Sequence, residues 1–350
     1  YQKSMRYTRL AANLSSGISL VLSNSFTTTG NSQIDLYGDG SDSVILQSEP
    51  WGVFELATVK SFTLNDSLKK AFLIGNDVQK DLTAIYLSDE DRPLSVSGST
   101  QITGDVQLPK AGIKQAYVEG KPYAGKQLVN GAIKNSERNL PALKEELLAR
   151  IQRWFTDTSS AAQKELPSSS QSFYENPLVL RLNHPFTLSG ATLEGKIVII
   201  SDSILTVKKD VSLKDILVFA PAIVLEEGFR GSCQLFATDS VVAGKNSVFN
   251  YPSCIGVLKP EGSKSQARIQ LGAGSVFSGI LFSYEKKRSD LQTIISLGKD
   301  SFVRGEVYAT GYIKIEKPIR VEGKVSCNRF IIQTPTTLYE NYLIDIDINR

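Results

Sequence analysis

Apolar positions change period twice along the chain. Residues 9–22, RLAANLSSGISLVL, place Leu10, Leu14, Ile18 and Leu22 four apart with Val21 beside them, which predicts one helical stripe. A turn-rich TTTGNSQ follows. From 33 to 87 the runs SVILQ, WGVFELATVKSFTL, AFLIG and TAIYL are short, rich in β-branched and aromatic residues, and separated by Gly, Asn, Asp and Ser. One helix followed by several antiparallel strands predicts an α+β unit over residues 1–93, ending near SDEDRPL.

Residues 94–110 begin a different pattern, which resumes after 186. Residues 111–185 read as an insertion between the two. Its helix, PALKEELLARIQRWF (141–155), starts with Pro141 in the first turn and Glu145 and Glu146 early. Leu143, Leu147, Ile151, Trp154 and Phe155 give it an apolar face. The tail TDTSSAAQKELPSSSQS is a Ser-rich surface connection.

The resumed pattern is a repeat. Five segments share the form apolar-x-Gly-x-apolar, centred on Gly104, Gly195, Gly279, Gly305 and Gly323. Alternation on both sides of each glycine marks two strands facing one core, and the glycine permits the bend between them. Units beginning IVIIS, ILVFA and QLFAT have lengths of 19, 18 and 20 residues, and EVYAT returns to 18. The units between are longer, and the excess falls in the polar stretches KPEGSKSQA and YEKKRSDLQ, as expected of loops leaving a stack. A period near 20 with three short strands per unit predicts a right-handed parallel β-helix, a solenoid, over residues 186–350. In ILVFAPAIVLEEG the proline of Ala220-Pro221-Ala222 then sits at a corner, where no ladder donor is needed. Helix 141–155 and the N-terminal unit are expected to cover one end of the stack, and TTLYENYLIDIDINR the other.

Composition narrows the function classes. With 39 basic and 36 acidic residues the net charge is +3, and no basic run carries interleaved aromatics, so nucleic acid is not an expected partner. Lys286-Lys287-Arg288 reads as a solvated loop. No run of 18 apolar residues spans a membrane, but Tyr1 and Tyr7 with Lys3, Arg6 and Arg9 suit the headgroup flank of an anchor upstream of Tyr1. The one histidine, His184 in LNHPF, reads as a turn residue. Three cysteines make no metal motif; a single bridge between Cys233 and Cys254 stays open, and Cys327 reads as a core thiol. No cofactor or metal is expected. GDGSDS (38–43) lacks the calcium-loop spacing and reads as a hairpin turn, and GKPYAGK (120–126) lacks the phosphate-loop pattern.

One acidic pair carries candidate chemistry. Asp202 in ISDS and Asp239 in ATDS fall at matching places two units apart, roughly 9–10 Å by strand spacing. That approaches the separation of about 6.5–9.5 Å used for inverting glycoside hydrolysis. The unit between places Pro221 there, and Asp and Ser at corners commonly bond nearby amides.

Segment 186–333 resembles parallel β-helix proteins, and its apolar-x-Gly-x-apolar units resemble the polymer-forming bactofilins. Residues 1–90, a helix followed by an antiparallel sheet, are similar in layout to type IV pilins and pseudopilins. Together these imply a non-enzymatic structural protein of the cell envelope or surface: a minor pilin-like component of a filament or secretion assembly, or an adhesin. Its partners would be other envelope or filament proteins, or a polysaccharide. The alternatives are a β-helix polysaccharide hydrolase or lyase using Asp202 and Asp239, and a self-polymerising scaffold.

Overall fold

The structure, a computed structural model, describes residues 2–23, 30–35, 42–63, 66–75, 81–156 and 168–350. Residues 38–41 of the expected GDGSDS turn and 157–167 of the Ser-rich tail lie outside these. The protein is mainly β, with two helices among the described residues, α1 at Gln2–Leu22 and α2 at Glu145–Thr156. Neither is long and apolar enough to cross a membrane. The chain divides into one unit of residues 1–80 with 171–177 and another of 81–170 with 178–350.

In the first unit, Gly30–Ile34, Asp42–Trp51, Phe54–Thr63 and Asp66–Ile74 pair in sequence order as an antiparallel sheet. Alternation along the middle strands puts Val44, Leu46, Ala57 and Val59 on one face, where Leu14, Ile18 and Val21 of α1 pack. The stripe is turned slightly from the four-residue reading: Leu10 and Val21 are buried, whereas Leu22 is 56% exposed. A period of 3.6 rather than 4 carries Leu22 off the face. Ser61 completes the contact by donating to the Leu10 carbonyl at 2.9 Å.

The second unit is built on parallel ladders. In the longest, register partners run Leu180, Ile199, Val218, Leu235, Ile255, Leu281, Val307 and Val325. These are buried side chains of one core, each worth about 1.5–3 kcal/mol of burial. A second ladder holds the residues before the glycines, and Gly279, Gly305 and Gly323 are in register with one another. A third contains Leu205, Ile223 and Val241. Within Ser212–Leu225 the register shifts between Ala220 and Ala222, so Pro221 stands outside the ladder at a corner.

Alternate residues of the long ladder face away from this core and are also buried, which accounts for the unbroken apolar runs IVIIS and ILVFA. Phe219 stacks on Phe236 at 5.0 Å and meets Trp154 and Phe155 of α2 at 5.9 and 5.4 Å. The helix therefore covers a flank of the ladders, not the end expected of it. It also starts later than expected: Pro141 precedes it, and the Pro141 carbonyl accepts from Tyr308 at 3.0 Å.

Three other expectations change. TAIYL, read as part of the first sheet, is Thr83–Leu87 of the long ladder, with Ile85 between Val325 and Val106. The stretch 111–185 does not simply interrupt the ladders, because Ile133–Asn135 and Leu178–Leu182 pair within them, and Ile113–Gln115 pairs with Leu94–Ser97 in a separate three-stranded parallel sheet. The C-terminal strands do not close a free end. Tyr342–Ile344 pairs with Leu94–Ser97, and Ile346–Asn349 lies between Ile319–Gln333 and Gln101–Thr103. The two ends of the unit are thus hydrogen-bonded into one stack, and short apolar strands without a period of their own took whichever edge offered register and a buried face.

Candidate functional site

The strands Val248–Lys259 and Val276–Glu285 end at the same corner of the ladders, between the long ladder and the third. The two polar stretches with excess length, 259–267 and 284–292, leave the stack there. Between them lies a depression of about 360 Å³ lined by Lys259, Glu261, Ser263 and Lys287. A second, of about 270 Å³, is bounded by Arg138, Leu143, Tyr284 and Tyr308. Glu285, Lys286 and Arg288 line both, so the two form one trough.

The floor of the trough is charged and buried. Lys259 is 7% and Glu285 6% exposed. Lys259 Nζ donates to Ser289 Oγ at 2.9 Å and to the Leu291 carbonyl at 2.6 Å. Ser289 Oγ in turn donates to Glu285 Oε2 at 2.7 Å. The hydroxyl thus links a buried cation to a buried anion, and its proton is committed to the carboxylate. Glu285 Oε1 is buried and has no hydrogen-bond partner among the described residues. A buried polar atom left so costs about 1–3 kcal/mol, more when charged.

Arg288 fixes the far side. Its guanidinium lies 2.5 Å from Glu90 Oε1, while Arg329 holds Glu90 Oε2 at 2.5 Å and Glu340 at 2.8 Å. Gln292 turns its amide oxygen to Arg288 Nε at 2.8 Å and Nη2 at 3.0 Å. Burial works to raise the Glu90 carboxyl, but the two guanidiniums outweigh it and hold it below the usual carboxylate range. This cluster joins the 88–92 turn to the C-terminal strands, so it is first a structural clasp. Around the rim, Lys286 approaches Glu261 at 3.8 Å, a loose and exposed pair. Burial pushes the Tyr308 phenol up to about 12, so it stays neutral as a donor to Pro141.

Asp202 and Asp239 both lie at this corner, and each is occupied. Asp202 Oδ1 accepts from the backbone N–H of His184 at 2.8 Å. His184 has φ +86°, a turn conformation in which its amide turns onto that carboxylate. Asp239 Oδ1 accepts from Ser265 at 2.7 Å, which ties the 259–267 loop back to the stack. Asp239 is thereby joined to the trough wall, whereas Asp202 belongs to a different pair of turns. The sequence showed where the loops leave but not their buried charges: Glu285 and Lys259 flank polar runs that read as solvated surface.

Cys233, Cys254 and Cys327 are free and buried, and burial pushes all three thiols up, so none is a ready nucleophile. No group of three or more His, Cys, Asp or Glu residues able to hold a metal ion occurs among the described residues. The chain matches no family model, and no curated protein or solved structure matches it.

Proposed function

We propose that the protein is a non-enzymatic structural module of the cell envelope or surface, and that its parallel ladders are successive turns of a right-handed parallel β-helix. The observation that carries this reading is the buried column from Leu180 through Val325 and on to Ile85 and Val106, which continues across the joined ends of the unit. Such a stack gives a stiff body whose loops are free to vary, and right-handed crossovers are the rule for parallel strands. The layout of the first unit supports a pilin-like or adhesive role.

The self-polymerising alternative requires an open edge. Ile133–Asn135 is short and exposed and carries Lys134 beside Asp105 at 3.4 Å, a charged edge of the kind that discourages strand addition. Negative-stain images and light scattering of the purified chain test this directly. Discrete monomers and recovery of tagged protein in the envelope fraction are expected. Filaments would favour the scaffold, and recovery in the cytosol would overturn the envelope assignment. Product release from a polysaccharide panel, lost in Asp202→Asn or Asp239→Asn, would replace the structural reading with the hydrolase or lyase.

A further inference from the structure

We infer that residues 81–139 form a latch, a body that seats on the C-terminal strands of the ladder unit as one piece, is held in register there by ion pairs, and opens as ionic strength rises. The inference goes beyond the structural reading and does not depend on it. Its starting point is a gap in connectivity. Interior strands such as Phe302–Ile315 and Ile319–Gln333 follow one another directly along the chain, and the short connection fixes their register. At one joint no such connection exists. There Thr83–Leu87 pairs with Ile319–Gln333, Leu94–Ser97 with Tyr342–Ile344, and Gln101–Thr103 with Ile346–Asn349. Ser88 donates to Asn328 Oδ1 at 2.9 Å across 240 positions of sequence. Two pieces of chain thus meet along three strand pairs, as two partners would.

Apolar side chains alone do not choose the register of this joint. A slip of two positions keeps Ile85 and Leu87 on the same face of their strand. Charges make the choice. Glu90 meets Arg329 at 2.5 Å, Asp81 meets Lys324 at 2.6 Å, Lys121 meets Asp345 at 2.9 Å, and Arg92 pairs with Glu340. A two-residue slip moves a strand by roughly 6–7 Å and parts these pairs. The Glu90 and Arg329 side chains are only 13% and 17% exposed, whereas Arg92 and Lys121 are each 55% exposed. Salt therefore weakens the outer pairs and leaves the inner one. The latch also has a hinge. The Asn139 carbonyl accepts from Tyr86 of the latch at 3.1 Å, and the Pro141 carbonyl accepts from Tyr308 of the stack at 3.0 Å. Leu140 separates the two anchorages, so the chain can swing there while α2 stays against Phe219.

Amide hydrogen exchange of the full chain tests the latch. The Ser88 and Ser95 N–H groups donate across the joint, to the carbonyls of Cys327 and Asn341, while that of Val276 donates to Ser247 inside the stack. Between about 0.05 and about 1 M sodium chloride, Ser88 and Ser95 are expected to exchange roughly fivefold faster, both by the same factor, with Val276 unchanged. Glu90→Gln should raise both rates about tenfold at low salt, because it leaves shielded guanidiniums short of a partner. A lock supplies the second arm. Leu87 and Cys327 are buried register partners, and parallel neighbours about 4.8 Å apart fall within disulfide reach. Leu87→Cys oxidised with diamide should lose the salt response, and the same variant reduced should keep it. Salt-independent exchange, different factors at Ser88 and Ser95, or acceleration of Val276 along with them would overturn the latch. So would rates unmoved by Glu90→Gln, or a locked variant that still responds to salt. Failure of the Leu87→Cys variant to bond to Cys327 would mean that the two strands are not partners, which overturns the joint itself.

Discussion

The two units bury apolar side chains by different rules, and their glycines show the difference most clearly. In the first unit a helix lies on one face of a four-stranded antiparallel sheet, and Gly17 of α1 lets it approach. A Cβ there would meet the Cγ1 atoms of Val44 and Val59 at 2.7 and 2.8 Å. In the ladder unit Gly305 has φ +133°, and a Cβ would lie 1.9 Å from the Gly279 carbonyl oxygen. Side-chain methyls can turn aside. A backbone oxygen within a ladder cannot move without disturbing the rows on both sides. A helix-on-sheet contact therefore tolerates local error, whereas a stack transmits it to its neighbours.

The sharpest way to break that comparison is Gly305→Ala. Strain at positive φ and overlap with fixed backbone act together, and a loss of about 4 kcal/mol or more is expected in urea unfolding. Next comes Phe219→Ala, which strips the ring that meets both Trp154 and Phe155 and leaves a cavity beneath α2. A loss of about 3 kcal/mol is expected, with a red shift of Trp154 fluorescence measured in a Trp51→Phe background. Gly17→Ala should cost less, about 1–2 kcal/mol, because the gain in helix propensity offsets part of the methyl crowding. If Gly17→Ala proved as damaging as Gly305→Ala, the distinction between yielding and fixed neighbours would fail.

The same contrast explains what could be read from the chain. The repeat around Gly279, Gly305 and Gly323 was legible because each ladder position imposes the same chemistry on successive parallel strands, and the three glycines are register partners. The α1 stripe was legible because one helix meets one face. Thr83–Leu87 was not assignable, since five buried residues in a row carry no period and its partners Val325 and Cys327 lie far along the chain. Ile133–Asn135 gave no signal at all, being exposed at every position. For the trough, the loops were visible as surplus polar length, but the burial of Glu285 depends on how 284–292 folds back so that its Ser289 reaches both Lys259 and Glu285.

The smallest expected effect tests the joint between the two ends of the ladder unit. Asp81 opens the stack, its carbonyl accepts from Arg350 Nε at 2.7 Å, and its carboxylate accepts from Lys324 at 2.6 Å and the Thr83 N–H at 2.9 Å. Burial alone would raise its pKa, but those bonds lower it from 3.8 to about 2. A carboxyl depressed in the folded state stabilises above its unfolded pKa, and that contribution fades as pH falls through the folded one. The window is therefore about pH 4 down to about 2. The Asp81 side chain is 39% exposed, so solvent screening limits the contribution to under about 1 kcal/mol. Asp81→Asn should lower stability by that amount at pH 7 and flatten the pH dependence in the window. Lys324→Met should do much the same, and the double variant should lose little more than either single one. Fully additive losses would mean that the pair does not couple the N-terminal strand to Ile319–Gln333, leaving backbone register and the shared apolar column to hold the two ends together.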